Sequence, residues 1–524
     1  MSASASPSPG RTVAIAAILI AVGNVTSRLI GVIREAVFAA TFGRGAELAA
    51  FTAAATIPTL LYDLLLSGAL SAALVPVFSR VASQPKQFAR TVSQVMSLMV
   101  LIVGGLLVPL MIAAPWVVAV IAGGFDQELQ TVTVTMVRWM VFAVPCMVIA
   151  GIMTAALQAQ QQFLFPAFVT SVFNIGLILA AVIFSPIIGP VALALGMVVG
   201  AALQVVLQYQ GLRTMQWQWL PDWHSPEVRE IGRLYAPVAL GMMFSAIGTV
   251  IDRRYASDFG EDVLPTLRYA TTLIQFPLGL IAAAVSTAIL PTLSRLTSKS
   301  SLEEYRQTVA QALHVVMALI VPASVILWLV RVPLTAFILE RQAFSAEDTQ
   351  AVANTLAYYI PGMPAAAIDQ VLLFACYARG RTLAPNIVQG GAIVAYVLAV
   401  MVGIPWLGER AETLAWANSV QWIAHMLIMV AICQRMFDLR GLGLIQTLLL
   451  SVIAAAVTWA VLLAFQAIVP IDALPTIIQL MMISLCAGVT YIVVAWRLEI
   501  EPVMHAYRLI FEKIAQRIER RNAR

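Results

Sequence analysis

The segment VSQVMSLMVLIVGGLLVPLMIAAPWVVAVI, Val92 to Ile121, contains no Asp, Glu, Lys or Arg. A bilayer-spanning helix needs about 20 mostly apolar residues, so this run is long enough with residues to spare. Runs of the same kind recur along the chain, which has 524 residues, 61% of them hydrophobic and only 11% charged, with a mean hydropathy of +0.90. A water-soluble chain of this length would carry charge over the outside of each domain. Here 31 Lys and Arg and 26 Asp and Glu are confined largely to short connectors. The chain reads as an all-α polytopic membrane protein.

The apolar-window rule gives about 14 spans, near 12–34, 47–75, 92–121, 132–157, 164–184, 187–209, 234–256, 266–292, 307–330, 352–376, 384–404, 414–433, 443–467 and 474–496. Arg80, Lys86 and Arg90, then Arg213, Arg229 and Arg233, Arg295, Lys299 and Arg306, Arg379 and Arg381, and Arg435 and Arg440 fall on one side of these spans. Asp126 with Glu128, Asp258 with Glu261 and Asp262, and Glu409 with Glu412 fall on the other. The positive-inside rule puts the basic connectors and both termini in the cytoplasm. The basic segment from Arg497 to Arg524 fits that side and can lie on anionic lipid, which is a membrane role rather than a nucleic-acid one. Residues 1–11 read as a disordered leader with no cleavable signal layout.

An internal repeat organises the spans. GALSAALVPVFSR, Gly68 to Arg80, matches AAVSTAILPTLSR, Ala283 to Arg295, with Ser, Pro and Ser-Arg in register. Both copies end a span and reach the same side, so the halves are parallel repeats about a pseudo-two-fold axis, an arrangement that places a site between them. The expected organisation is a six-helix bundle over 12–215, a second over 230–433, two additional helices over 443–496 and a basic tail over 497–524. That is a transporter plan.

An ionisable residue inside a span is expensive unless it faces a wet cavity or a partner. The first span carries Ser27-Arg28-Leu-Ile-Gly-Val-Ile-Arg34-Glu35. Its two arginines are about 9 Å apart along a helix. Guanidiniums donate paired hydrogen bonds to oxyanions, so Arg28 and Arg34 on a cavity wall suit a diphosphate or another polyanion. Asp63, set among leucines, is expected to pair with an interior base such as Arg28 or to titrate. Arg268 can add positive charge near Thr272. Asp252 is a candidate for a proton or cation, with an ion pair at the helix end as the plain alternative. His314 and His425 stand alone in their spans and read as polar packing, as does Asp369 in its own span. Cys146, Cys376, Cys433 and Cys486 have no CxxC spacing and read as small hydrophobes. Neither a metal site nor a cofactor is indicated, and no Walker motif is present.

Ser27-Arg28-Leu-Ile-Gly-Val-Ile-Arg34-Glu35, Phe42-Gly43, Ala50-Phe51, Ile57-Pro58, Gly68 to Pro76, Phe173-Asn174, Asp252 and Gln275-Phe-Pro-Leu-Gly279 together resemble the MurJ (MviN) lipid II flippase family of the multidrug/oligosaccharidyl-lipid/polysaccharide exporter superfamily. The resemblance covers nearly the whole chain. It implies transport of the undecaprenyl-diphosphate-linked disaccharide-pentapeptide from the inner to the outer leaflet of the bacterial inner membrane, with the lipid tail in a groove of the two extra helices. On this resemblance Arg28 and Arg34 take the places of diphosphate-binding arginines and Glu35 that of the neighbouring acid. Arg268 assists, and Ser27 and Asp63 organise the site.

The chain departs from the family pattern at Tyr62-Asp63, at Ala49 and at Thr271-Thr272, where arginines or an acid are usual. Tyr396 and Val400 fall where an acid and an Asn of a sodium site are expected. Proton or membrane-potential coupling is therefore expected over sodium coupling, and the chain is expected to act as a monomer. Another polyprenyl-diphosphate glycan is the alternative cargo, and a drug/cation antiporter a more distant one. A polytopic glycan-lipid transferase or ligase is the enzymatic alternative, but the outer loop from Arg331 to Gln350 offers Glu340, Glu347 and Asp348 without a catalytic constellation.

Overall fold

The computed structural model describes residues 9–66, 69–296, 301–381, 383–470 and 473–504. Most of the leader over 1–11 and the tail from 505 onward, with His505, lie outside the described residues, as do Ser67, Gly68 and Lys299. The described chain is helical throughout, because in lipid a backbone can satisfy its own N–H and C=O groups only within a helix or a closed barrel. It divides into two compact units, one of residues 1–268 with 341–345 and the other of residues 269–340 with 346–524.

Unit 1 contains α1 (Pro9–Phe42), α2 (Ala46–Leu66), α3 (Ala69–Val81), α4 (Pro85–Ile121), α5 (Gln127–Met140), α6 (Ala143–Ala159), α7 (Leu164–Ile183), the short α8 (Ser185–Ile188), α9 (Val191–Leu212), α10 (Pro226–Phe259) and the start of α11 (Val263–Leu278). Two helices can approach closely in lipid only where side chains are small. A Cβ added to Gly176 of α7 would lie 2.5 Å from Gly200 Cα of α9, and one added to Gly196 would lie 2.5 Å from Ala180 Cβ. The α7–α9 contact is therefore backbone against backbone. α1 packs on α7 in the same way, since a Cβ at Gly23 would lie 2.3 Å from the Ala167 carbonyl. The α1–α7 contact is what fixes the height of Arg34.

Unit 2 contains the rest of α11, a π-helical turn over Gly279–Ala283, α12 (Ala284–Arg295), α13 (Leu302–Leu339), α14 (Ala346–Tyr359), a 3-10 turn over Ile360–Gly362, α15 (Met363–Ala378), α16 (Leu383–Leu407), α17 (Ala411–Phe437), α18 (Leu444–Ile468) and α19 (Thr476–Arg497). α13 is the hub against which α12, α14, α15, α18 and α19 pack. The break between α14 and α15 is held by Ser419, whose hydroxyl donates to the Tyr358 carbonyl at 2.6 Å and accepts from Gly362 N–H at 3.2 Å. A Cβ at Gly362 would meet Ser419 Cα at 2.6 Å, so only glycine admits this crossing.

Eleven described segments are long and apolar enough to cross a bilayer, and the α5–α6 pair makes a twelfth if its two helices are one span. The span read as 132–157 is that pair, bent by 41°. The span read as 352–376 is α14 and α15 with the 3-10 turn between them. The two copies of the repeat form α3 and α12, short helices that contain Pro76 and Pro291 and end at or one residue beyond Arg80 and Arg295. Proline is tolerated in membrane helices where a neighbouring helix, a Ser or Thr side chain, a water or a local adjustment of the helix re-satisfies the freed backbone group. Large apolar side chains such as Trp116, Ile187 and Ile445 are exposed at 69%, 74% and 76%, as lipid-facing residues should be.

Candidate functional site

In unit 1 the structure gathers Arg34, Glu35 and Arg268 on one point. Glu35 is 1% exposed and both of its carboxylate oxygens are occupied. Arg268 of α11 forks onto it, Nε donating to Oε2 and Nη2 to Oε1, each at 2.8 Å. Arg34 donates from Nε to Oε1 at 2.9 Å, and its Nη2 reaches the same oxygen. Adjacent residues on a helix do not face one another. Arg34 makes the contact only because its long side chain folds back over Glu35.

The second Arg34 amino group leaves the cluster. Nη1 donates to Asn174 Oδ1 of α7 at 2.7 Å, and Asn174 Nδ2 in turn donates to the Ser27 carbonyl at 3.4 Å. Asn174 thus ties the two ends of the Ser27–Glu35 segment together. Phe38 lies beneath both guanidiniums, at 5.9 Å from Arg34 and 5.3 Å from Arg268, and Phe51 supports Arg268 at 5.3 Å. The Phe38 and Phe51 rings meet edge to face at 5.5 Å. Arginine is held on aromatic faces more readily than lysine because its planar cation stacks. The Glu35 carboxylate thus serves two guanidiniums at once.

Arg28 is half-buried on α1, six residues before Arg34. Asp63 is not brought to the arginines: among the described residues it makes no ion pair, and Glu35 takes the pairing expected of it. Geometry gives the reason. Counted from the turn between Phe42 and Ala46, Glu35 lies about 10 Å along α1 while Asp63 lies about 26 Å along α2. Ser27 donates its hydroxyl to the Asn24 carbonyl at 3.0 Å and enters the site only through its backbone. Asp252 lies 3.6 Å from Arg253 Nη1, with both side chains about a quarter exposed.

Sequence reasoning gave no role to Arg44, which donates to Asp262 Oδ2 and Thr266 Oγ1, both at 3.0 Å, and so anchors the α1–α2 turn to the start of α11. Nor did it single out Phe38, and Asn174 carried only a motif. The signal for Asn174 was an amide in an otherwise apolar span.

The two intramembrane histidines of unit 2 are engaged in packing bonds. His314 contacts Thr447 Oγ1 at 2.7 Å and the Leu442 carbonyl at 2.8 Å, so both ring nitrogens are used. His425 Nδ1 meets Asp369 Oδ1 at 2.8 Å. Cys376 and Cys433 are buried as free thiols 3.6 Å apart. Among the described residues no group of three or more His, Cys, Asp or Glu is placed to hold a metal ion.

The family model described as "Lipid II flippase MurJ" matches residues 38–482. The chain belongs to that family. Among curated relatives it is 30% identical over 429 residues to the probable lipid II flippase MurJ of Rhizobium tropici, covering 77% of this chain and 79% of the relative. It is 28% identical over 409 residues to the lipid II flippase MurJ of Burkholderia cenocepacia, covering 75% and 78%.

Among solved structures it superposes on lipid II flippase MurJ in an inward closed conformation with a TM-score of 0.77 at 21% identity, covering 91% of this chain and 98% of that one. An inward-facing multidrug resistance MATE transporter of the MOP superfamily superposes with a TM-score of 0.63 at 13% identity, covering 80% and 98%. At these identities the structural likeness is one of fold. Family membership makes the chain a multi-pass inner-membrane transporter rather than an enzyme.

Proposed function

We propose that the chain translocates lipid II, the undecaprenyl-diphosphate-linked peptidoglycan precursor, from the inner to the outer leaflet by alternating access. The observation that carries this is the Arg34–Glu35–Arg268 cluster, a buried carboxylate shared by two guanidiniums. A diphosphate is dianionic and presents several acceptor oxygens, so it can take guanidinium hydrogen bonds without needing to displace Glu35 altogether. Arg28 and Arg34 bind the diphosphate, Arg268 assists, and Glu35 and Asn174 hold them in place. Ser27 contributes through its carbonyl, and Asp63 shapes the field further along α2.

Fourteen spans follow if α1 and α10 cross the bilayer alongside the twelve counted above. Each contains an uncharged apolar stretch, 13–22 and 234–251. With the basic connectors in the cytoplasm both termini lie there too. The working bodies in this reading are 12–215 and 230–433, with 443–496 as the lipid-tail helices. Energy comes from the membrane potential or a proton gradient, with Asp252 as the candidate coupling acid, and the monomer is the working unit. Moving one elementary charge through 100 mV supplies about 2.3 kcal/mol.

The test is a leaflet-resolved assay in vesicles with lipid II competing against another undecaprenyl-diphosphate glycan. Arg28→Ala and Arg34→Ala should abolish lipid II translocation while leaving folded protein in the membrane. Normal translocation by Arg34→Ala would remove the cluster from the mechanism, and normal translocation by Arg28→Ala would remove Arg28 from the diphosphate site. Indifference to lipid II with transport of the competitor would move the chain to the alternative cargo.

A further inference from the structure

Unit 2 holds a cavity of about 630 Å³ at the end that carries Glu409 and Glu412. Three aromatic side chains line it, Trp328 of α13, Tyr358 of α14 and Trp416 of α17, together with Asn354, Arg410 and Glu412. Its volume falls within the range of small-molecule sites, about 300–1,000 Å³. Its chemistry is unlike that of the lipid-facing surface nearby. Among the described residues, Arg410 and Glu412 form no ion pair with each other or with any other group, although both line the same space.

The aromatic walls are fixed in place. Arg331 stacks on Trp328 at 5.0 Å and donates to its carbonyl at 2.7 Å. Trp416 rests on Gly403, where an added Cβ would come within 3.1 Å of its ring. Ser419 pins the Tyr358 carbonyl, and Thr413 donates to the Gly408 carbonyl at 2.6 Å, holding the corner that presents Arg410 and Glu412. The cavity has rigid aromatic faces beside Arg410 and Glu412, and Asn354, which accepts from Gln350 at 2.9 Å, keeps its own amide N–H groups to donate.

That combination matches a sugar. The C–H face of a pyranose lies flat on an aromatic ring, and its hydroxyls and acetamido groups need both donors and acceptors, which Arg410, Glu412, Asn354 and the tyrosine and indole polar atoms supply.

We propose that the cavity is a saccharide subsite that takes one pyranose ring of the lipid-linked glycan. The proposal rests on the flippase reading and adds to it a site for the sugar separate from the site for the diphosphate.

Native mass spectrometry of the full chain, with lipid II and sugar-free undecaprenyl diphosphate as probes, tests it. Trp416→Ala should lower lipid II retention about tenfold relative to undecaprenyl diphosphate, and Trp416→Phe, which keeps an aromatic face, should restore most of the difference. Equal effects on both probes, or none, would overturn the subsite. Arg34→Ala should weaken both probes together; if it changes neither while Trp416→Ala still discriminates, the diphosphate reading fails and the subsite stands. Should Trp416→Ala not fold, the unaltered protein gives the same answer. Chitobiose should protect Trp416 and Tyr358 from hydroxyl-radical oxidation while leaving Trp219, 62% exposed in unit 1, unprotected. Equal protection at all three, or none, rejects the proposal.

Discussion

Each unit buries charge inside its helices, and the two do so with different arithmetic. In unit 1 a single carboxylate, Glu35, faces two guanidiniums. In unit 2 one carboxylate, Asp369, faces one imidazole, His425. The first group keeps both guanidiniums cationic, because arginine stays charged in proteins. The second can close on itself as a hydrogen-bonded pair joining α15 to α17. Fixed guanidiniums can donate to an anion, whereas a carboxylate–imidazole pair is a fastening. The comparison sets the proposed diphosphate site against a structural contact without reference to depth in the membrane.

The sharpest way to break this comparison is to remove its centre. Glu35→Ala leaves Arg34 and Arg268 buried without their carboxylate, and losing one partner of a buried ion pair costs about 3–5 kcal/mol. Unfolding in detergent should show a loss of that size, and one below about 1 kcal/mol would mean that water or lipid already solvates the arginines.

Next come the arginines themselves. Arg268→Ala leaves Glu35 paired with Arg34, so the fold should survive while lipid II translocation falls at least tenfold, roughly the effect of 1.4 kcal/mol. Arg34→Lys should recover only part of the activity lost in Arg34→Ala, since an ammonium cannot serve Glu35 and Asn174 in the same fork geometry. Full recovery in vesicles would show that point charge alone suffices.

The fastening in unit 2 should behave in the opposite sense. His425→Gln is expected to lower stability by about 2 kcal/mol, the scale of a hydrogen bond to a charged group, and to leave translocation within about twofold. A transport defect larger than the stability defect would promote this pair from packing to mechanism.

The smallest effect lies outside the spans. The Ser225 hydroxyl, bonded to Glu227 at 2.7 Å, is the chief reason this carboxyl titrates below its ordinary value of 4.5. A carboxyl depressed by folding contributes stability that is present above the unfolded value and lost as pH falls through the folded one. Proteolytic nicking of the loop over 213–225 should therefore rise as pH drops below about 4.5, and Ser225→Ala should remove most of that dependence. An unchanged acid profile in Ser225→Ala would assign the effect to another group.

Much of this was legible in the residues. The apolar runs fix the helical membrane fold because lipid acts on each segment by itself. The Arg28, Arg34 and Glu35 spacing marked the charged stretch of α1, and Ser-Pro-Ser-Arg in register marked α3 and α12 as related elements. Where the reading stopped short, facing geometry was at issue. Asp63 sits in an apolar span as Glu35 follows one, and nothing in spacing alone says which of them reaches the guanidiniums. The 41° bend of α5 on α6 was equally hidden, because hydropathy is continuous across it.

The sequence by itself determined that the chain is a bundle of membrane helices, which connectors are basic, and which family it resembles, since hydropathy, charge and motif are properties of neighbouring residues. Only the tertiary structure decided that Arg268 shares Glu35 with Arg34 across 233 positions, and that Trp328, Tyr358 and Trp416 wall one cavity. Those pairings depend on which helix faces are turned together. Close glycine contacts and broken helices set that, and neither leaves a periodic trace in the sequence.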